Sequence, residues 1–243
     1  MGKENYSCDT NGVCVPVSQT SASIERQENI EIIYGYDPLC GWCYGFSSDL
    51  KTVRQKYQDR IKFTLINGGI FAGRRGVKMG QISGHINRNM PYVTQRTGTP
   101  FGTEFKELLL KSEYPYDSEK SSIAVVVFRD LNPTKVFEYA SDLQKAFFHD
   151  GKDINDEDVL ATILQPYNVD RSEFLRRLNS KEYKDKTYNE FQIAEKYNLA
   201  YPSCIIIDKE NAEMLSYGYE EADSIIKKIN RKLTNSIIKV HQK

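Results

Sequence analysis

Cys40-Gly41-Trp42-Cys43 places two thiols three positions apart. A thiolate attacks a disulfide sulfur, and a second thiol one helical turn further on can expel the product from the mixed disulfide that forms. That chemistry needs a helix start under the first cysteine, where backbone N–H groups and the positive end of the helix dipole favour a negative sulfur. Position then assigns the roles: Cys40 attacks and Cys43 resolves. The competing use of a C-x-x-C is half of a structural zinc site, which needs four ligands in tetrahedral reach, usually as two close pairs. Cys8 and Cys14, the only other paired thiols, are six positions apart, so the spacing gives no metal site. The fifth cysteine, Cys204, sits in Cys204-Ile205-Ile206-Ile207 and reads as a small buried hydrophobe. His85, His149 and His241 are scattered without metal-ligand spacing. Gly68, Gly69, Gly73 and Gly76 lack the Lys-Ser/Thr ending of a phosphate-binding P-loop.

The elements around the pair supply the helix start. Ile30 to Tyr36 is a β-branched and aromatic run that reads as a buried strand, stopped by Asp37-Pro38. After the motif, Phe46, Leu50, Val53 and Tyr57 share one helical face. Ile61, Phe63 and Leu65 alternate with polar residues as a second strand, closed by Asn67-Gly68-Gly69. Strand, helix, strand in this order predicts a parallel βαβ unit with the cysteines on its strand-to-helix turn. From Gly76 to Leu199 several helical patterns follow one another. One lies over 121–131, one opens at Pro133, one is capped by Asn155, one is boxed by Asp170 and Glu173, and the last carries Phe191, Ala194 and Tyr197. Ser203 to Asp208 and Glu213 to Tyr217 then read as an antiparallel hairpin, and Ala222, Ile225, Ile226, Ile229 and Leu233 as the stripe of a final helix.

The predicted class is therefore α/β: one interrupted sheet with an all-helical insertion. The boundaries are a flexible tail at 1–28, a sheet-bearing domain at 29–75 and 199–235, the insertion at 76–198, and a C-terminal tail at 236–243. With 33 basic and 33 acidic residues the formal charge is zero, which gives no support for nucleic-acid binding. No apolar run approaches the roughly 20 residues that cross a bilayer. The N-terminus lacks the apolar stretch of a secretory signal, so the expected location is the cytoplasm, unless a leader has been trimmed.

Asp37-Pro38-Leu39-Cys40-Gly41-Trp42-Cys43-Tyr44-Gly45-Phe46 resembles the active-site segment of DsbA-like proteins, specifically the FrnE-like branch. Asn67-Gly68-Gly69 and Thr99-Pro100-Phe101-Gly102 are similar to that branch as well, over about residues 29 to 235. The resemblance implies a thioredoxin-like fold (βαβ, then β-hairpin and C-terminal helix) bearing the insertion, and thiol–disulfide oxidoreductase activity, with isomerase activity included. It implies a cis-proline loop facing the cysteines, for which Tyr201-Pro202 stands in the matching position, next to Gly41 and Trp42 as active-site support and substrate contacts. The implied partners are protein or small-molecule thiols and disulfides, a recycling redox partner, and glutathione as a co-substrate, with no other cofactor. Trp42 either shields the pair and offers apolar surface to substrates or packs against the insertion. Asp37 either relays protons or simply forms the turn before Pro38. Cys8 and Cys14 fall outside the resemblance; they are an auxiliary redox pair, a local disulfide, or two unrelated thiols. Glutathione-dependent isomerases and kappa-class transferases share the insert-bearing fold but carry a serine where this chain has Cys40. A zinc-holding or chaperone-like binding module is the non-enzymatic alternative.

Overall fold

The structure, a computed structural model, describes residues 30–209 and 211–240 together with 6–8 and 14–16; for 6–8, 14–16 and 235–240 it describes the backbone alone. The short strands β1 (Tyr6–Cys8) and β2 (Cys14–Pro16) pair antiparallel, which sets the backbone of Cys8 opposite Cys14. The rest of the predicted tail at 1–28, and the side chains of both cysteines, lie outside the described residues.

The central strand is β3 (Ile30–Tyr36), buried along nearly its whole length because it has neighbours on both edges and layers on both faces. The helix α1 (Gly41–Tyr57) follows, then β4 (Lys62–Asn67), parallel to β3 with Tyr34 beside Leu65. The other edge of β3 pairs antiparallel with β7 (Ser203–Asp208), placing Tyr34 beside Cys204. β7 pairs in turn with β8 (Asn211–Tyr217). The order β4-β3-β7-β8 is the interrupted sheet expected from the sequence.

Between the sheet's halves run β5 (Val77–Lys78), α2 (Met79–Thr97), α3 (Thr103–Leu108), β6 (Pro115–Tyr116), α4 (Glu119–Leu131), α5 (Val136–Phe148), α6 (Glu157–Thr162), α7 (Arg171–Leu178) and α8 (Lys181–Lys196). Two expectations for this region change. The insertion is not wholly helical, since β5 and β6 form a two-residue ladder with Val77 opposite Tyr116. The cap of α6 is Asp156 rather than Asn155, because the Asp156 carboxylate accepts from the N–H groups of Asp158 and Val159. At the C-terminus, α9 (Ala222–Val240) takes in 236–240 of the tail expected at 236–243, and 241–243 lie outside the described residues.

The insertion and the sheet share one core. Ile32, Tyr34 and Leu65 from the sheet join Val125, Tyr139 and Phe147 from the insertion and Ile225 and Ile229 from α9 in a single buried cluster. The opposite sheet face is covered by α8, through a smaller cluster of Ile33, Ile66, Ala194, Leu199 and Ile205. Glu190 of α8 accepts from both the backbone and the side-chain N–H groups of Asn67 and pairs with Arg129 of α4. The insertion is thereby locked to the end of β4, beside the site.

Candidate active site

β3 ends one turn short of the cysteines, and Asp37 shapes that turn. Its carbonyl accepts the Cys40 N–H at 3.1 Å, while its carboxylate accepts from Leu39 N–H at 2.9 Å, Ile70 N–H at 2.7 Å and the Ser118 hydroxyl at 3.1 Å. One fully buried side chain thus ties together the active-site turn, the loop after β4 and the lead into α4. Burial pushes the Asp37 carboxyl up to about 6, against the three donors and the Arg75 charge, which pull it down. Of the two sequence readings of Asp37, turn formation is what the geometry displays. The signal was visible as an Asp before Pro three positions ahead of a cysteine; its second and third partners, far along the chain, were not.

Cys40 is the N-cap of α1. Its sulfur accepts the Cys43 N–H at 3.1 Å, a place normally taken by a Ser, Thr, Asp or Asn oxygen. Across the gap, the Cys40 thiol donates to the Tyr201 carbonyl at 3.4 Å, and the Tyr201–Pro202 bond is cis. Cys40 retains a little exposure and Cys43 none, and both are free thiols. Burial raises the Cys43 thiol well above its ordinary range, and the neighbouring Cys40 sulfur raises it further. Cys204, behind the sheet register, is pushed by burial up to about 12 and stays an inert buried thiol.

The insertion clamps this turn from the far side. Gln144 of α5 donates to the Asp37 and Cys40 carbonyls at 3.0 and 3.4 Å, and the Tyr116 hydroxyl donates to the Leu39 carbonyl at 2.7 Å. The Tyr44 hydroxyl reaches the Pro100 carbonyl at 3.0 Å. Sequence reasoning named neither Gln144 nor Tyr116, and met Tyr44 and Pro100 only inside the family-like segments, without the bond between them. Gln144 had a readable signal, a polar residue placed on the inward period of Tyr139, Ala140 and Leu143; Tyr116 and Ser118 gave none. Among the residues that sequence reasoning did single out, Trp42 is half-buried, with its ring 6.0 Å from that of Tyr219, in the segment between β8 and α9. Gly41 is not required for space, since a Cβ there would meet the Phe101 and Phe148 rings no nearer than an ordinary 3.6 Å. Gly68 is different: a Cβ would lie 2.0 Å from the Tyr201 ring, so the absence of a side chain lets that ring settle over the loop.

A model of the DSBA-like thioredoxin domain matches residues 31–217. The chain belongs to this family. The match takes in both halves of the sheet, the insertion and the cysteine turn of the DSBA-like domain. Among curated proteins, the ClpXP adapter protein SpxH of Shouchella clausii is 21% identical over 178 residues, 70% of this chain and 54% of that protein. The DSBA-like chain therefore spans about half the length of the curated relative it matches. Among solved structures, a candidate protein disulfide isomerase from Nitrosomonas europaea superposes with a TM-score of 0.77 at 22% identity, over 85% of this chain and 98% of that one. The cytosolic disulfide reductase DsbM from Pseudomonas aeruginosa gives 0.71 at 20% identity, over 84% and 98%. The same reductase solved with GSH gives 0.69 at 20% identity, over 84% and 99%. At these identities the structural likenesses establish the DSBA-like fold.

Proposed function

We propose that this chain is a thiol–disulfide oxidoreductase that exchanges disulfides with protein or small-molecule thiols through Cys40 and Cys43. The carrying observation is the double contact of the Cys40 sulfur, with the Cys43 N–H on one side and the Tyr201 carbonyl on the other. As a thiolate, Cys40 attacks one sulfur of a substrate disulfide, forming a mixed disulfide and releasing one substrate thiol. Cys43 loses its proton and attacks the Cys40 sulfur, which closes the Cys40–Cys43 disulfide and releases the second substrate thiol. Two electrons pass from the enzyme dithiol to the substrate, and a recycling dithiol partner returns them. Tyr201 and Pro202 would present backbone groups to an extended substrate segment. Gly41 and Trp42 complete the substrate-facing surface, and Cys8 and Cys14 serve as an auxiliary redox pair. The likeness to DsbM, a cytosolic disulfide reductase, supports a cytoplasmic setting. No helix among the described residues is long and apolar enough to cross a membrane.

The test is a redox titration in glutathione buffers, followed by the fluorescence of Trp42, the single tryptophan. A reversible two-electron transition that disappears in Cys40→Ser is expected, and its midpoint reports whether the pair donates or accepts disulfides. A wild-type protein without a transition, or a transition that persists in Cys40→Ser, refutes the proposal. The similarity to an adapter protein favours a second reading, a protein-binding module. Under that reading, cells carrying Cys40→Ser would keep the protein's function while losing the transition.

A further inference from the structure

Next to the nucleophile the structure holds a cleft of about 390 Å³. Its walls are the loop after β4, through Gly68, Ile70 and Arg75, and the end of α8, through Glu195 and Asn198; Tyr201 closes the side towards Cys40. Tyr201 is the residue whose carbonyl accepts from the Cys40 thiol, so the cleft begins one residue from the reacting sulfur. The volume falls within the usual range for small-molecule sites. Its mouth is amphoteric. Arg75 Nη1 and Glu195 Oε1 face one another at 3.3 Å, both largely exposed, with side chains 46% and 66% accessible. An ion pair this exposed is weakly held, so its two members are free to exchange each other for a ligand. A purely anionic ligand would meet Glu195 and a purely cationic one Arg75. A group carrying both charges on one carbon satisfies both residues at once.

We infer that this cleft binds the zwitterionic α-amino-acid end of a small disulfide, with Arg75 taking the carboxylate and Glu195 the ammonium. The inference rests on the oxidoreductase reading above and deepens it by naming the substrate class: low-molecular-weight disulfides with a free α-amino-acid group, such as the γ-glutamyl arm of oxidised glutathione. With one sulfur of such a molecule at Cys40 and its cysteine backbone alongside Tyr201, the γ-glutamyl arm extends past the Tyr201 ring into the cleft. The planar guanidinium of Arg75 suits a carboxylate, and Asn198 lines the same cleft. The reaction balances without an added reductant. The Cys40 and Cys43 dithiol gives up two electrons and two protons, and oxidised glutathione becomes two molecules of the reduced tripeptide.

The experiment is a single-turnover oxidation of the reduced full chain, followed by Trp42 fluorescence, with two probes. One is oxidised glutathione; the other is bis(2-hydroxyethyl) disulfide, which carries no charge. The quantity read is the ratio of the two second-order rate constants. In Arg75→Ala this ratio is expected to fall about tenfold, the scale of one charge-assisted hydrogen bond. Glu195→Gln is expected to lower it as well, and to have no such effect when the glutathione amine is acetylated. Loss of Arg75 also removes a charge that acts on Asp37, but that acts on the cysteines with either probe and cancels in the ratio. A ratio unchanged in both variants overturns the inference while leaving the oxidoreductase reading in place. A wild-type chain that reacts with neither probe overturns the underlying reading itself.

Discussion

Replacing Asp37 with Asn removes one proton-binding site from the middle of the active-site turn while keeping the size of the side chain. In the fold, burial lifts this carboxyl from 3.8 to about 6 against the pull of its donors. A carboxyl that titrates higher in the native state than in the unfolded chain holds its proton more tightly when folded, so the native protein carries more protons between those two values. Its stabilising contribution is complete below the unfolded value and is lost as the pH climbs through the folded one. The gap amounts to roughly 3 kcal/mol over the full range, of which about 2 kcal/mol falls between about pH 4 and pH 7. Asn does not titrate, so the unfolding free energy of the wild type minus that of Asp37→Asn should fall by about 2 kcal/mol across that interval. Urea unfolding of the fully reduced proteins, followed by far-UV circular dichroism at several pH values, measures it; the other titrating groups cancel in the subtraction. A difference that stays flat would refute the reasoning. A difference that rises with pH would show that Leu39, Ile70 and Ser118 stabilise the carboxylate by more than burial costs it.

Two further outcomes follow from the same geometry. In Gly68→Ala the added methyl has no room beside the Tyr201 ring, so that ring must move, which disturbs the residue whose carbonyl accepts from the Cys40 thiol. Disulfide exchange in stopped-flow mixing should slow by about tenfold or more, in line with the cost of displacing a reacting group by an ångström, with circular dichroism showing a folded protein; an unchanged rate would mean that the loop position is not limiting. Replacing both Cys8 and Cys14 with Ser should lower multiple-turnover exchange while leaving the first turnover at Cys40 intact, and unaffected steady-state turnover would remove the auxiliary-pair role.

The sequence carried the site's first half well, because its information is local. The alternation in β3, the period of Phe46, Leu50, Val53 and Tyr57, and the C-x-x-C between them are readable within one βαβ unit. Tyr201-Pro202 came from the family resemblance, since a proline at a strand start looks the same whichever isomer its peptide bond adopts. What stayed hidden is everything held by contacts between distant segments. Gln144, Tyr116 and Ser118 all act on a turn formed by residues 37–40, yet nothing in their own neighbourhoods marks a partner so far away. Arg75 sits in a glycine-flanked turn, and Glu195 is one charge among several on α8; only the fold brings them to one cleft. Asn155 lost the α6 cap to Asp156 because adjacent residues with equal capping preference cannot be ranked by type alone.

The pairing of β3 with β7 has a consequence for how the protein comes into being. β3 meets β4 after one helix, but its other neighbour arrives only after the entire insertion has been made. Pairings between segments this far apart raise the contact order and defer closure of the sheet to a late step. At ribosomal speed, the delay between emergence of Cys40 and emergence of Tyr201 is on the order of ten seconds. Throughout that interval the nascent chain carries both thiols on a forming helix, while the β3 edge is open and the loop that substrates would pair with does not yet exist. On the proposed oxidoreductase reading, full-strength exchange is therefore reserved for finished molecules: a fragment released before Pro202 would carry both cysteines without the loop proposed to select what they react with.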